Sequence, residues 1–161
     1  MGVDIIKPGT LLKMRRAFLS KRETRALLEE LRALGFRGEL QQVERAETGN
    51  AEIFLAGGKP LCFRRGGRLY PSLHCAELFQ LKKVVVDLGA VPHLLKGADV
   101  MAPGIVKMEE LKEGELVLVV DEKYGKPLVV GVSLLAGGKP ERGKVVRNIH
   151  RLGDEIWRLG L

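Results

Sequence analysis

Two cysteines, Cys62 and Cys75, are too few for a disulfide framework in a chain of 161 residues. No succession of charged, apolar and small residues marks a secretory leader. No apolar run approaches the roughly 20 residues that a membrane span needs. These absences predict a cytoplasmic protein with reduced thiols and no membrane partner. Recognisable chemistry is missing too: the sequence has no glycine-rich phosphate loop followed by Lys-Ser/Thr, no nucleophile elbow and no His-Glu-x-x-His pair. Asp87, Asp99 and Asp121 fall at predicted strand or helix ends, where capping and turn duties account for them. His74 beside Cys75, with Cys62 and His93 or His150 as further ligands, fits no zinc-finger or ribbon spacing. The expectation is no metal, no cofactor and no enzyme activity.

What is present is a packed and basic protein. A hydrophobic fraction of 45% argues against wholesale disorder. Twenty-seven Lys and Arg face 20 Asp and Glu, a net charge of +7. The excess is uneven, +5 in residues 1–81 and +2 in residues 82–161. An anionic partner follows, RNA first, although a basic balance alone describes attraction and not a site.

Residues 1–12 read as an irregular or weakly paired lead, and Lys13 to Leu19 as a first strand. Ser20-Lys21-Arg22-Glu23 is a capping box that opens a helix with Leu27, Leu28, Leu31 and Leu34 on one stripe, ended by Gly35. Short strands follow at Val43–Glu47, Ala51–Leu55, Pro60–Arg64 and Arg68–Tyr70, punctuated by Thr48-Gly49-Asn50, Gly57-Gly58 and Gly66-Gly67. Arg64, Arg65 and Arg68 make the densest basic cluster, either a solvated hairpin tip or a second RNA or ribosome contact. Pro71-Ser72-Leu73 leads into a helix through Leu78, and Phe79–Lys83 is expected to connect two domains.

Beyond it, Val84–Val86 reads as a buried strand. Pro92 places the following short helix near Gly89, because proline is tolerated only in a first turn. Leu116–Val120 and Leu128–Leu135 are apolar runs joined across residues 122–126, strands buried on both faces. Gly131 marks a tight bend. Lys144–His150 closes the set, and Asp154–Leu159 forms a last helical turn with Trp157. A closed barrel of five or six strands is the economical arrangement, since it removes exposed edges.

Between the short helix and the apolar hairpin, Gly97-Ala98-Asp99-Val100-Met101-Ala102-Pro103-Gly104-Ile105 is shaped by backbone needs. Lys96-Gly97 reads as a helix end with glycine in the left-handed region. Pro103-Gly104 has the residue types of a type II turn, with positive φ expected at Gly104. The stretch is either a cap and a turn without a ligand, or a loop whose bare backbone lets a nucleic-acid strand approach while Lys96 neutralises phosphate.

The run VVVDLGAVPHLLKGADVMAPGI, followed by a strand pair and VVRNIHRLGDEIW, resembles the PUA domain, an RNA-binding module, across residues 82–161. KPLCFRRGGRLYPSL just before it is similar to the amino-terminal part of the malignant T-cell-amplified family. The resemblance implies an α/β (α+β) protein: a small amino-terminal domain, residues 1–81, packed on a carboxy-terminal PUA barrel, residues 82–161. It implies that RNA lies against Lys96, Gly97, Ala98, Asp99, Met101, Pro103 and Gly104, and against Arg147, Asn148, His150 and Arg151 of the last strand. His150 also suits a packed strand position, and Trp157 the core. Glu109, Glu110, Glu113 and Glu115 make the following region acidic, so it should face away from RNA. The implied role is translational, at the small ribosomal subunit in initiation, reinitiation or recycling, with tRNA or rRNA contact and a partner carrying an initiation-factor-like domain. The alternative is an accessory factor of RNA modification or ribosome biogenesis, or the RNA-binding subunit of an RNA-modifying enzyme.

Overall fold

The structure, a computed structural model, describes residues 14–161; the expected lead at residues 1–12 and Lys13 lie outside them. The described chain divides into two compact units, residues 14–80 with Gly153–Leu161, and Leu81–Leu152. Among the described residues no helix is long and apolar enough to cross a membrane.

In the first unit, β1 (Arg16–Phe18) leads into α1 (Lys21–Ala33), then β2 (Val43–Thr48), β3 (Ala51–Ala56), β4 (Lys59–Arg65) and β5 (Arg68–Pro71). The five strands form one antiparallel sheet in sequence order. The capping box is complete: the Glu23 N–H donates to Ser20 Oγ at 3.1 Å and the Ser20 N–H donates to Glu23 Oε1 at 3.0 Å. That bond to Ser20 holds the Glu23 carboxyl below its ordinary pKa. Leu27 and Leu31 of α1 are buried with Ile53, Leu55, Leu61 and Phe63 of the sheet. Each such side chain contributes roughly 1.5–3 kcal/mol relative to exposure. The helix expected through Leu78 is a 3-10 segment, Leu73–Leu78, kinked at Cys75 where φ is −125°. Both thiols are buried, and burial pushes their pKa values up.

The second unit contains β6 (Lys82–Val86), α2 (Val91–Leu94), β7 (Val100–Met101), β8 (Ile105–Met108), β9 (Leu116–Asp121), β10 (Pro127–Ser133) and β11 (Lys144–Arg151). The expected Phe79–Lys83 connector is shorter, because pairing of Lys82 with Val117 already starts β6. The sheet order is β7-β11-β10-β9-β6-β8. Its edge strands, β7 and β8, are consecutive in sequence and separated only by the 3-10 turn Ala102–Gly104. The chain itself therefore brings the two edges together, and the sheet curls into a near-closed barrel. Val84, Val86, Leu94, Ile105, Val117, Val119, Val129 and Val146 fill it.

Two glycines explain the barrel's local shape. At Gly131 a Cβ would collide with Val146 Cγ1 and come within 2.6 Å of the Arg147 carbonyl, so only a bare backbone lets β10 and β11 approach at their register shift. Gly104 differs from expectation. It has no positive φ and lies in the 3-10 turn, not a type II turn. Its lack of a side chain suits proximity: a Cβ there would meet the Ala90 Cβ at 3.2 Å.

The last helix, α3 (Glu155–Leu159), was expected with the barrel and instead groups with the first unit. Ile156 and Leu159 are buried, Glu155 pairs with Arg65 at 3.0 Å, and the Trp157 ring stacks on His74 with centroids 3.9 Å apart. These contacts outweigh the sequence continuity with β11.

Candidate nucleic-acid interface

The loop between α2 and β7 is held in place from β11. The helix ends as its sequence dictates, with Gly97 at φ +101° accepting a conformation costly for any other residue. The Asn148 Nδ2 group donates to the carbonyls of Leu94 and Ala98, each at 3.0 Å. The Leu94 carbonyl, at the end of the helix, also accepts the Gly97 N–H at 3.0 Å, so Asn148 adds a second donor there and a donor to Ala98 in the loop. The Asn148 N–H donates to Asp99 Oδ1 at 2.9 Å, and Lys144 Nζ lies 3.3 Å from Asp99 Oδ2. Arg151 Nε donates to the Leu95 carbonyl at 2.9 Å. Its guanidinium sits over Gly97, where a Cβ would lie 3.4 Å from the Arg151 Nη1. Loop and strand form one surface.

Next to it opens a cleft of about 560 Å³. Ala98, Asp99, Met101, Pro103 and Gly104 of the expected set line it, together with Asp87 and His93, which the sequence reading did not place at the RNA surface. Lys96, Arg147 and Lys144 are exposed. Asp99 is not a free anion in this basic setting, because one carboxylate oxygen accepts a backbone N–H and the other faces Lys144. Lys144 had gone unnoticed; its signal was its place at the start of the same strand as Arg147 and Arg151.

Two groups of expected residues lie elsewhere. His150 is wholly buried, 0% exposed, opposite Val130. It occupies the packed strand position weighed against a binding role, and offers no surface to RNA. Arg64, Arg65 and Arg68 belong to the first unit, where Arg65 and Arg68 are register partners on one face and Arg64 lies on the other. Neighbours on a strand point to opposite faces, and Arg64 pairs with Glu30 at 2.7 Å while Arg65 pairs with Glu155 at 3.0 Å. Arg68 lies over the Tyr70 ring, 5.6 Å from its centroid.

Comparison with known proteins agrees with this architecture. Residues 82–152 match the PUA domain and residues 15–77 match a domain of unknown function, DUF1947. An uncharacterized protein of Methanocaldococcus jannaschii is 38% identical over 155 residues, 89% of this chain and 95% of its own. Malignant T-cell-amplified sequence 2 of Mus musculus is 34% identical over 118 residues, 67% of this chain and 65% of its own. Translation machinery-associated protein 20 of Schizosaccharomyces pombe is 28% identical over 119 residues, 66% and 65% of the two chains. The match thus spans just under two thirds of these eukaryotic relatives. A conserved PUA-domain protein of Thermoplasma acidophilum, of known structure, is 32% identical with a TM-score of 0.78, covering 91% of this chain and 100% of its own. With a DUF1947 domain ahead of a PUA barrel and 38% identity along nearly its whole length, the chain belongs to the archaeal-type PUA-domain proteins homologous to the malignant T-cell-amplified family.

Proposed function

We propose that this chain is an RNA-binding, translation-associated protein, cytoplasmic and without catalytic activity, that acts at the small ribosomal subunit. The observation that carries this reading is the joining of the glycine loop to β11 through Asn148 and Arg151, with Lys96, Lys144 and Arg147 exposed around it. Bare backbone, helix-end groups and cations on one surface suit phosphate contacts, which position RNA without reading its sequence. The names of the relatives in translation supply the setting, and the family resemblance narrows it to initiation, reinitiation or recycling beside a partner with an initiation-factor-like domain. The RNA is tRNA or rRNA.

The test is sedimentation with small ribosomal subunits at low salt, followed by crosslinking and sequencing of the bound RNA. The protein should travel with the subunit and crosslink to tRNA or rRNA through residues 94–99 and β11. Protein remaining at the top of the gradient without RNA crosslinks would contradict the reading.

A further inference from the structure

The turn between β9 and β10 carries a feature that the RNA surface above does not use. Tyr124 is 77% exposed, although a large aromatic ring is costly to hold in water. The turn that presents it is rigidly organised. Asp121, itself only 5% exposed, accepts the backbone N–H groups of Lys123 at 2.8 Å, Tyr124 at 2.6 Å and Lys126 at 3.0 Å. The Gly125 N–H donates to the Asp121 carbonyl at 3.1 Å, and the Asp121 N–H to the Lys126 carbonyl at 3.2 Å. A register shift between Pro127 and Val129 sets the direction of the strand leaving the tip. Lys123 Nζ lies 5.1 Å from the Tyr124 ring centroid, and Lys126 is exposed beside it. Glu122 is the one acid of the tip not engaged as Asp121 is, and its N–H donates to the Val86 carbonyl at 2.9 Å.

Strand register fixes where this tip rises. Val86, the last residue of β6, pairs with Asp121, and the next residues lead into α2 and the glycine loop. On the other side Val129 pairs with Arg151, the residue bonded to Leu95 of that loop. The tip therefore flanks the surface formed by the loop and β11, at the same end of the barrel.

We infer that Tyr124 is a stacking platform for an unstacked RNA base, with Lys123 and Lys126 neutralising the adjoining phosphates, so that the β9–β10 turn extends the RNA surface. Its chemistry fits a single-stranded or looped-out nucleotide, because every base has a π-face and stacking tolerates sequence. Fixing the turn backbone removes the ordering cost of placing the ring. This inference rests on the RNA-binding reading above.

The experiment measures binding of the full chain to unfractionated tRNA and to a short unstructured oligoribonucleotide carrying 2-aminopurine. Variants are Tyr124→Leu, Tyr124→Phe, Lys123→Ala with Lys126→Ala, and Lys96→Ala. Tyr124→Leu should weaken binding about 5- to 100-fold and abolish the 2-aminopurine quenching, while Tyr124→Phe retains both. Melting should not move for either, since the ring is exposed. Tyr124→Leu binding like the parent, in a protein whose Lys96→Ala variant is weakened, would overturn the inference and leave the tip to a protein partner. A parent that binds neither RNA would overturn the RNA reading as well.

Discussion

Asn148 and Asp99 meet across the barrel surface: the backbone N–H of Asn148 in β11 donates to the Asp99 carboxylate at 2.9 Å. The same asparagine's side chain bonds the carbonyls of Leu94 and Ala98. One residue of the closing strand thereby bonds the glycine loop at three points.

Asn148→Ala should loosen that loop. The Ala98 carbonyl loses the Asn148 amide and the Leu94 carbonyl keeps only the Gly97 N–H, a loss of about 1–3 kcal/mol in denaturant unfolding where they stay shielded from water. Amide exchange at residues 95–99 should accelerate more than in the β9–β10 strands. Unchanged stability together with unchanged exchange would remove Asn148 from the account.

Gly131→Ala and Gly104→Ala separate two uses of glycine. The first forces a methyl group into Val146 and the Arg147 carbonyl, and should cost about 1–3 kcal/mol or more. The second places a methyl 3.2 Å from Ala90 without a positive φ to strain it, and should cost less than about 1 kcal/mol. Equal losses in thermal unfolding would mean that Gly104 is held in a left-handed conformation after all.

That contrast shows what the sequence could and could not reveal. The capping box at Ser20, the strand pairs, the cap at Gly97 and the bend at Gly131 were legible because each answers a local backbone need. Pro103-Gly104 misled because glycine is required both for positive φ and for close approach, and only the position of Ala90 distinguishes the two. The arginine cluster shows another limit of a local reading: adjacency of Arg64 and Arg65 in sequence becomes opposition across a strand, and their partners Glu30 and Glu155 lie 34 and 90 residues away. The Asn148 and Arg151 anchors to the loop are likewise long-range. Burial of His150 follows from its pairing with Val130 inside the barrel, which no local pattern states.

Asp121 gives a pH prediction. Hydrogen bonds from Tyr124, then Lys126, Lys123 and Gly125, hold its carboxyl below the ordinary value. A folded-state pKa below the unfolded one stabilises fully above the unfolded value, about 4, and the stabilisation is lost as pH falls through the lowered one. Acid titration should therefore lower the amide protection factors, corrected for the intrinsic rate at each pH, at Lys123, Tyr124 and Lys126 before the barrel unfolds. In Asp121→Asn that acid dependence should vanish. A titration identical in parent and variant would assign the acid sensitivity to other carboxylates.

The terminal helix should stabilise the first unit. Ile156 is wholly buried there, and Ile156→Ala should cost about 2–5 kcal/mol. Trp157, the single tryptophan, reports the transition by fluorescence. Amides of the second unit should keep their protection, and a variant that loses protection only in the barrel would reverse the assignment.

The central claim is that the glycine loop and β11 form one RNA surface, and the salt dependence of tRNA affinity tests it most directly. The parent should lose affinity with a log–log slope of roughly −3 to −5, as expected for about 4 to 6 neutralised phosphates. Lys96→Ala combined with Arg147→Ala removes one exposed cation from each side of the surface. The double variant should bind more weakly at every salt concentration, with a slope shallower by about 1 to 2 and an unchanged melting temperature. Parental affinity and parental slope in a folded double variant would contradict the claim.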